Sequence, residues 1–209
     1  MTDEKRFKAG ATAILTVIVV FALLPILLLF ITSISDEGAI LSEGYTFLPS
    51  KLSFDSYYYM IKQGAMIFRA YGISIIVTAA GTLLSVLLTT MLAYPMARKG
   101  CKFRGILAFY VFFTMLFNGG IVSSYIMWTN IFHIKDTIWA LILPNYVVTA
   151  FNVFLVRNYY VNSIPESLIE SAQLDGAGEL TIFTRIMFPL ATPTVATISL
   201  FTGLTYWND

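Results

Sequence analysis

Residues 70–97 read AYGISIIVTAAGTLLSVLLTTMLAYPMA, a stretch without a charged side chain between Arg69 and Arg98. A helix rises about 1.5 Å per residue, so about 20 apolar residues are enough to cross the hydrocarbon layer of a bilayer. The stretch therefore predicts a membrane-spanning helix. Four further apolar runs, each bounded by charged residues, occur along the chain.

These five runs predict an all-α polytopic membrane protein. The first run follows basic residues, as a signal peptide does, but it is long and no Ala-x-Ala cleavage pattern follows it, so we expect a retained span. The predicted order is an N-terminal segment 1–10, first span 11–33, outer segment 34–69, second span 70–97, inner loop 98–104, third span 105–127, outer loop 128–136, fourth span 137–156, inner loop 157–189 and fifth span 190–209.

Two features interrupt this pattern. Asn118-Gly119-Gly120 is a strong breaker inside the third run, and we expect residues 121–134 to form either an outer loop or a short re-entrant element. The fifth run stops without a basic cluster or a further loop, so the C-terminus is expected to be truncated.

The distribution of Lys and Arg predicts the orientation, because basic residues are retained on the cytoplasmic side. With the N-terminus inside, the inner segments hold Lys5, Arg6, Lys8, Arg98, Lys99, Lys102, Arg104, Arg157 and Arg185. The outer segments then hold Lys51, Lys62, Arg69 and Lys135. The tight cluster at 98–104 favours a cytoplasmic N-terminus.

Composition excludes several function classes. The chain is 57% hydrophobic and 12% charged, and its mean hydropathy is +0.77, which predicts the lipid bilayer as its solvent. A net charge of +1 gives no field that would attract nucleic acid. One cysteine, Cys101, and one histidine, His133, are too few for a disulfide or a zinc cluster, so no metal or cofactor is expected.

The energy source must be inferred from residues that the chain lacks. No acidic, basic or histidine side chain lies in the apolar cores of the spans, which disfavours a proton-coupled or cation-coupled transporter. Coupling through backbone carbonyls at Pro25, Pro95 or Gly119-Gly120 would need no such side chain, so a cation-coupled transporter or a channel stays as the alternative. A membrane scaffold that binds partners is the third hypothesis. No catalytic constellation and no Gly-Lys pair of a phosphate-binding loop is present, so neither an enzyme nor an ATPase is predicted.

Residues 163–178, SIPESLIESAQLDGAG, are too polar and too patterned for a passive connector. Ser163 and Glu166 have the spacing of a capping box, which predicts a helix start. Its apolar face should carry Ile164, Leu168 and Ala172, and its acidic face Glu166 and Glu170. Gly176 supplies a left-handed stop, and a second helix is expected over 179–187. Such an element is either a docking surface or a hairpin lying on the membrane.

This segment resembles the EAA loop of permeases of bacterial ABC importers. The matching residues are Glu170-Ser171-Ala172, Gly176, Ile186, Phe188 and Pro189, with Ser171 and Phe188 departing conservatively from the usual Ala and Leu. The resemblance implies the type I ABC importer permease fold, of which about five of six transmembrane helices would be present.

Further segments resemble permeases for carbohydrates, in the branch associated with complex oligosaccharides. They are 31–36, 112–120, 139–144 and 206–209. The resemblance implies an ABC ATPase subunit, a second permease subunit in a heterodimer and an extracytoplasmic solute-binding protein as partners. It also implies roles in coupling to the ATPase: contact at Glu170, the turn at Gly176, and a lever formed by the helix that holds Leu168, Ala172 and Asp175.

Two polar stripes are candidates for the translocation path, since sugars need hydrogen-bonding groups and aromatic faces. The second span carries Thr78, Thr82, Ser85 and Thr89, and the fourth carries Asn145, Thr149 and Asn152 beside Tyr146 and Phe151. Small and hydroxyl-bearing residues also mediate helix packing in membranes, with Gly81 and Ser85 as a small-xxx-small pair, and this alternative stays open for both stripes.

Overall fold

The computed structural model describes residues 2–117, 119–144 and 146–209, with side chains from Glu4 onward. Within those ranges every regular element is a helix, and the prediction of an all-α membrane fold is confirmed. The chain forms two compact units, one ending at Arg69 and one beginning at Ala70.

The first unit is built on a long apolar helix, α1 (Thr2–Ser33), which contains Pro25. Two short helices follow, α2 (Glu37–Glu43) and α3 (Asp55–Lys62). Between α1 and α3 the chain returns on itself, because Ser35 and Leu52 form an isolated antiparallel bridge. Lys51 Nζ lies 3.0 Å from Asp36 Oδ2, and Asp36 Oδ1 accepts a hydrogen bond from the Ala39 amide at the start of α2.

The second unit holds the remaining helices. The helix α4 (Gly64–Ala97) begins in the first unit and continues through most of its length in the second. The others are α5 (Arg104–Leu116), α6 (Gly120–Ile126), α7 (Ile138–Ile142), α8 (Ala150–Ser163), α9 (Glu166–Leu174), α10 (Glu179–Ile182), α11 (Phe188–Leu190) and α12 (Thr192–Trp207). Turns of π-helix extend α6 over Met127–Ile131 and α10 over Phe183–Met187.

Two helices in the described part of the chain are long and apolar enough to cross a membrane, Glu4–Ser33 and Gly64–Ala97. Two bent helix pairs raise this number to four if each pair counts as one span. These pairs are Arg104–Leu116 with Gly120–Ile131, and Glu179–Leu190 with Thr192–Trp207. In lipid a helix satisfies its backbone groups internally, which explains why these apolar sequences are helical.

The predicted fourth span, 137–156, is not one continuous helix. The helix α7 ends at Ile142 and α8 begins only at Ala150. Pro144 explains the interruption, because proline lacks an amide hydrogen and disfavours helical geometry at the residue before it. The assignment of this stretch as a membrane crossing stays a prediction.

The third run is broken where the glycine pair predicts it. The helix α5 ends at Leu116 and α6 begins at Gly120, whose φ of +78° is left-handed. Asn118 lies outside the described residues. The stretch after the break is helical to Ile131, and the predicted boundary between span and outer loop at 127/128 lies within this helical stretch.

The core of the second unit joins one end of α4 to α8, α9, α10 and α12. Its fully buried members include Ala93, Val153, Val156, Ile182 and Ala191. A smaller cluster of Val77, Ile142 and Tyr206 joins the middle of α4 to α7 and α12. The larger core fixes the segment that the sequence singles out for function.

Candidate functional site

Residues 166–187 form two helical segments joined by a tight turn, here called the hairpin. Gly176 has a φ of +80°. Its amide donates to the Gln173 carbonyl at 3.0 Å, and the Ala177 amide donates to the Ala172 carbonyl at 2.9 Å. This pair of bonds is a Schellman motif, which satisfies the last carbonyls of α9. The predicted stop at Gly176 and the second helix from Glu179 are confirmed.

The hairpin presents one face outward and buries the other. Ile169 is only 5% exposed, and Ala172 packs against the same core. Leu168 is 44% exposed, and Glu170, Asp175 and Gly176 are also exposed. Of the predicted coupling residues, Ala172 therefore lies on the inner side and the other four lie where a partner can reach them.

The predicted apolar stripe of α9 is wrong. Ile164 is buried, but it precedes the helix, and Leu168 faces outward. Pro165 is extended, with a ψ of 133°, so the helix begins at Glu166. The buried positions are then Ile169 and Ala172, three residues apart.

The predicted capping box is wrong as well. Ser163 is the last residue of α8, and the N-cap of α9 is Pro165, which makes no side-chain cap bond. Glu166 forms an ion pair with Lys99, just beyond the end of α4. A tertiary contact has replaced the local one that the spacing predicts.

Sequence reasoning missed Glu179, which joins the hairpin to α4. Its Oε2 accepts a hydrogen bond from the Tyr94 hydroxyl, and its Oε1 lies 3.4 Å from Arg98 Nη2 and 3.2 Å from Gln173 Nε2. The Tyr94 hydrogen bond, followed by Arg98, lowers the pKa of the Glu179 carboxyl below its ordinary value. Eighty-five residues separate Tyr94 from Glu179, and no local pattern predicts their contact.

The polar residues of the predicted fourth span gather around a small cavity of about 230 Å³. Tyr146, Thr149 and Asn152 line it, whereas Asn145 lies outside the described residues. The cavity also contains Phe151, Phe201, Thr202 and Thr205. Asn152 Nδ2 donates to Thr202 Oγ1 at 3.3 Å, and Thr149 Oγ1 is buried without a hydrogen-bond partner among the described residues. The threonines of α12 were missed because nothing in their spacing points to α8.

The stripe of α4 does not line this cavity. Ser85 and Thr89 are buried, and the Oγ1 atoms of Thr78 and Thr82 are buried without a hydrogen-bond partner in the described part of the chain. Thr82 Oγ1 would lie 3.5 Å from a Cβ atom on Gly203 of α12. This arrangement favours helix packing for the stripe.

A comparison with protein families identifies the chain's relatives. The profile of the family described as "Binding-protein-dependent transport system inner membrane component" matches residues 85–209. This match covers the hairpin and both sides of the small cavity.

Individual relatives come from bacteria. The polygalacturonan/rhamnogalacturonan transport system permease protein YtcP of Bacillus subtilis is 37% identical over 88% of this chain and 63% of its own length. The protein LplC of the same organism is 34% identical over 90% of this chain and 62% of its own length. The diacetylchitobiose uptake system permease protein NgcG of Streptomyces coelicolor is 30% identical over all of this chain and 68% of its own. The chain thus spans less than two thirds of the length of YtcP and LplC.

One solved structure extends the comparison to three dimensions. A bacterial ABC transporter involved in the import of the acidic polysaccharide alginate superposes with a TM-score of 0.84 and 28% identity. The superposition covers all of this chain and 73% of that one. The apolar helices and the hairpin are consistent with the profile match and with the superposition. The chain therefore belongs to the binding-protein-dependent transport system inner membrane component family.

Proposed function

We propose that this chain is part of a permease subunit of an ATP-driven importer for oligosaccharides. The permease forms the pathway, and a separate ABC ATPase supplies the energy. A second permease subunit completes the pathway as a heterodimer, and an extracytoplasmic solute-binding protein delivers the sugar. The chain contributes no ATPase chemistry of its own.

The single observation that carries this proposal is the construction of the hairpin. Its inner face is locked into the core by Ile169, whereas Glu170 and Leu168 are exposed beside a well-formed turn. A short, rigid helix that is exposed on one side and packed on the other can transmit a rigid-body displacement into the core. This is the behaviour that coupling to a nucleotide-driven partner requires, and we assign that contact to Glu170, Leu168 and Asp175.

The substrate class rests on the relatives and on the small cavity. YtcP and NgcG are named for transport of sugar polymers or oligomers, and the superposed transporter for import of alginate. Tyr146, Thr149 and Asn152 offer an aromatic face beside hydroxyl and amide groups, the combination that a sugar needs. We therefore assign these three residues to the translocation path.

The orientation follows from the basic residues. The hairpin is tied to Arg98 and Lys99, which begin the basic cluster 98–104. Retention of this cluster in the cytoplasm supports a cytoplasmic side for both the hairpin and the N-terminus, which is the side of an ATPase.

Co-purification and reconstitution test the proposal. The full-length protein should purify with a separate ATPase, and proteoliposomes of the complex should accumulate labelled oligogalacturonate, alginate oligosaccharide or diacetylchitobiose only with ATP and a binding protein. Uptake of any of these sugars by the purified permease alone, driven by an ion gradient, would contradict it.

A further inference from the structure

We propose that Glu179 is a positioning residue that fixes the hairpin to the end of α4, so that a push on the hairpin moves α4 with it. This inference rests on the proposed function. It concerns a residue of the hairpin that holds Tyr94 and Arg98 at the end of α4 and Gln173 of α9.

The contacts of Glu179 connect three parts of the fold. Tyr94 belongs to the last turn of α4, Arg98 follows that helix directly, and Gln173 lies in the last turn of α9. Both carboxylate oxygens are used, one by Tyr94 and the other by Arg98 and Gln173. A carboxylate that accepts from both cationic and neutral donors holds them more firmly than a neutral acceptor would.

The two donors at the end of α4 are better fixed than the carboxylate. Tyr94 is buried, and the side chain of Arg98 is 13% exposed, whereas the side chain of Glu179 is 59% exposed. The end of α4 therefore provides a rigid site into which the hairpin inserts one acidic side chain. The ring of Tyr94 also lies 5.4 Å from that of Phe183, which adds an apolar contact beside the polar one.

A second ion pair connects the start of the hairpin to the residues that follow α4. Lys99 pairs with Glu166, the first residue of α9, so each of the two helical segments is tied near its start to consecutive basic residues after α4. The side chain of Lys99 is 73% exposed against 13% for Arg98, whereas Glu166 is less exposed than Glu179, at 39% against 59%. Glu179 has three donors against one for Glu166, which makes it the stronger of the two connections.

Packing of the hairpin against the core leaves a gap beside Ile169. A cavity of about 290 Å³ lies behind the hairpin, lined by residues that include Arg98, Lys99, Tyr160, Glu166, Ile169 and Met187. The Tyr160 hydroxyl at this cavity is buried and has no hydrogen-bond partner among the described residues, so no polar contact from α8 helps to hold the hairpin here. The polar ties, and not close packing alone, therefore determine the angle between hairpin and α4.

Spin-label distance measurements test this inference. The full-length protein, purified with its ATPase in a Cys101→Ser background, carries labels at the exposed positions Leu83 of α4 and Leu180 of the hairpin. We expect one narrow distance distribution that ATP leaves unchanged. Glu179→Ala should add a second distance, and ATP should shift the population toward it. Tyr94→Phe, which removes only a hydroxyl, should produce the same change to a smaller extent.

Two controls separate positioning from general damage. Glu179→Gln keeps an oxygen acceptor for Tyr94 but removes the acceptor of Arg98 and Gln173, so its second distance should be less populated than that of Glu179→Ala. Thr184→Val removes a hydroxyl whose hydrogen bonds are to its own helix, and it should match the parent protein.

The outcomes distinguish this inference from the proposed function. A distribution in Glu179→Ala as narrow as in the parent, with and without ATP, would overturn the inference and leave the importer proposal intact. If no ATPase binds the parent protein, the importer proposal fails, and the comparison without ATP still decides whether Glu179 positions the hairpin.

Discussion

The ring of Tyr206 lies directly against the backbone of Gly81. A Cβ atom built on Gly81 would lie 2.6 Å from Cζ of Tyr206. The ring cannot swing away freely, because the Tyr206 hydroxyl donates to the Ile142 carbonyl at 2.7 Å and the ring edge contacts Tyr146. The absence of a side chain at position 81 therefore determines how closely α4 approaches α12.

Gly81→Ala should destabilise the fold. The added methyl group overpacks the contact with Tyr206, which costs on the order of 1–3 kcal/mol. The thermal midpoint of the detergent-purified protein measures the effect. Gly72→Ala is the matched control on the same helix, since nothing lies within 4 Å of its added Cβ atom. An unchanged midpoint in Gly81→Ala would mean that the two helices are not in contact as described.

Thr205→Val should weaken uptake if the small cavity lies on the translocation path. Thr205 lines the cavity, and Thr197 of the same helix does not. Each hydroxyl donates to the carbonyl four residues earlier, so the two substitutions remove the same local bond. We expect a KM for oligosaccharide uptake several-fold higher in Thr205→Val, in keeping with roughly 0.5–1.5 kcal/mol for a lost hydrogen bond. Equal uptake by Thr205→Val and Thr197→Val would mean that the small cavity does not lie on the translocation path.

Acid should loosen the turn between α1 and α2. The hydrogen bond from Lys51 lowers the pKa of Asp36 below its ordinary value of 3.8. Because the pKa is lowered, the contact between Lys51 and ionised Asp36 stabilises the turn fully when the pH is above 3.8. This stabilisation is lost as the pH falls through the lowered pKa of Asp36. Hydrogen exchange at the Ala39 amide, which donates to Asp36, should accelerate in that range beyond the intrinsic rate. Asp36→Asn should lack this acid-dependent step, and its persistence there would assign the step to another group.

The helical elements could be predicted from local features of the sequence. Apolar runs predicted the long helices α1 and α4, Gly176 predicted the turn of the hairpin, and the glycine pair at 119–120 predicted the break after α5. Each of these features depends on residues within one or two turns of each other.

Tertiary contacts could not be predicted in this way. The capping box failed because Glu166 binds Lys99, and Glu179 was overlooked because its partner Tyr94 is distant in sequence. Only part of the lining of the small cavity could be predicted. The polar stripe that continues into α8 is visible in the sequence, whereas Thr202 and Thr205 are recognisable only once α12 lies beside it.

Thiol labelling tests the predicted orientation. Cys101 is partly exposed and follows α4 within the basic cluster 98–104. A membrane-permeant maleimide should label it in intact cells, and an impermeant one should not until the membrane is opened. Labelling of intact cells by the impermeant reagent would contradict the predicted cytoplasmic N-terminus.

Substrate-stimulated ATP hydrolysis by the complex of the full-length protein with its ATPase tests the central claim most directly. Gly176 has a φ of +80°, so Gly176→Val introduces strain of about 1–3 kcal/mol and tilts the second helix. Glu170→Lys reverses an exposed charge without weakening the helix. The matched control for Gly176→Val is Gly178→Val, because Gly178 has a negative φ and nothing lies within 4 Å of its added Cβ atom. The matched control for Glu170→Lys is Glu43→Lys in α2. Both hairpin variants should reach the membrane in normal amounts yet lose ATPase association or stimulated hydrolysis, while the controls retain them. Normal stimulation in Gly176→Val and Glu170→Lys would contradict the account, because the hairpin would then be a passive connector.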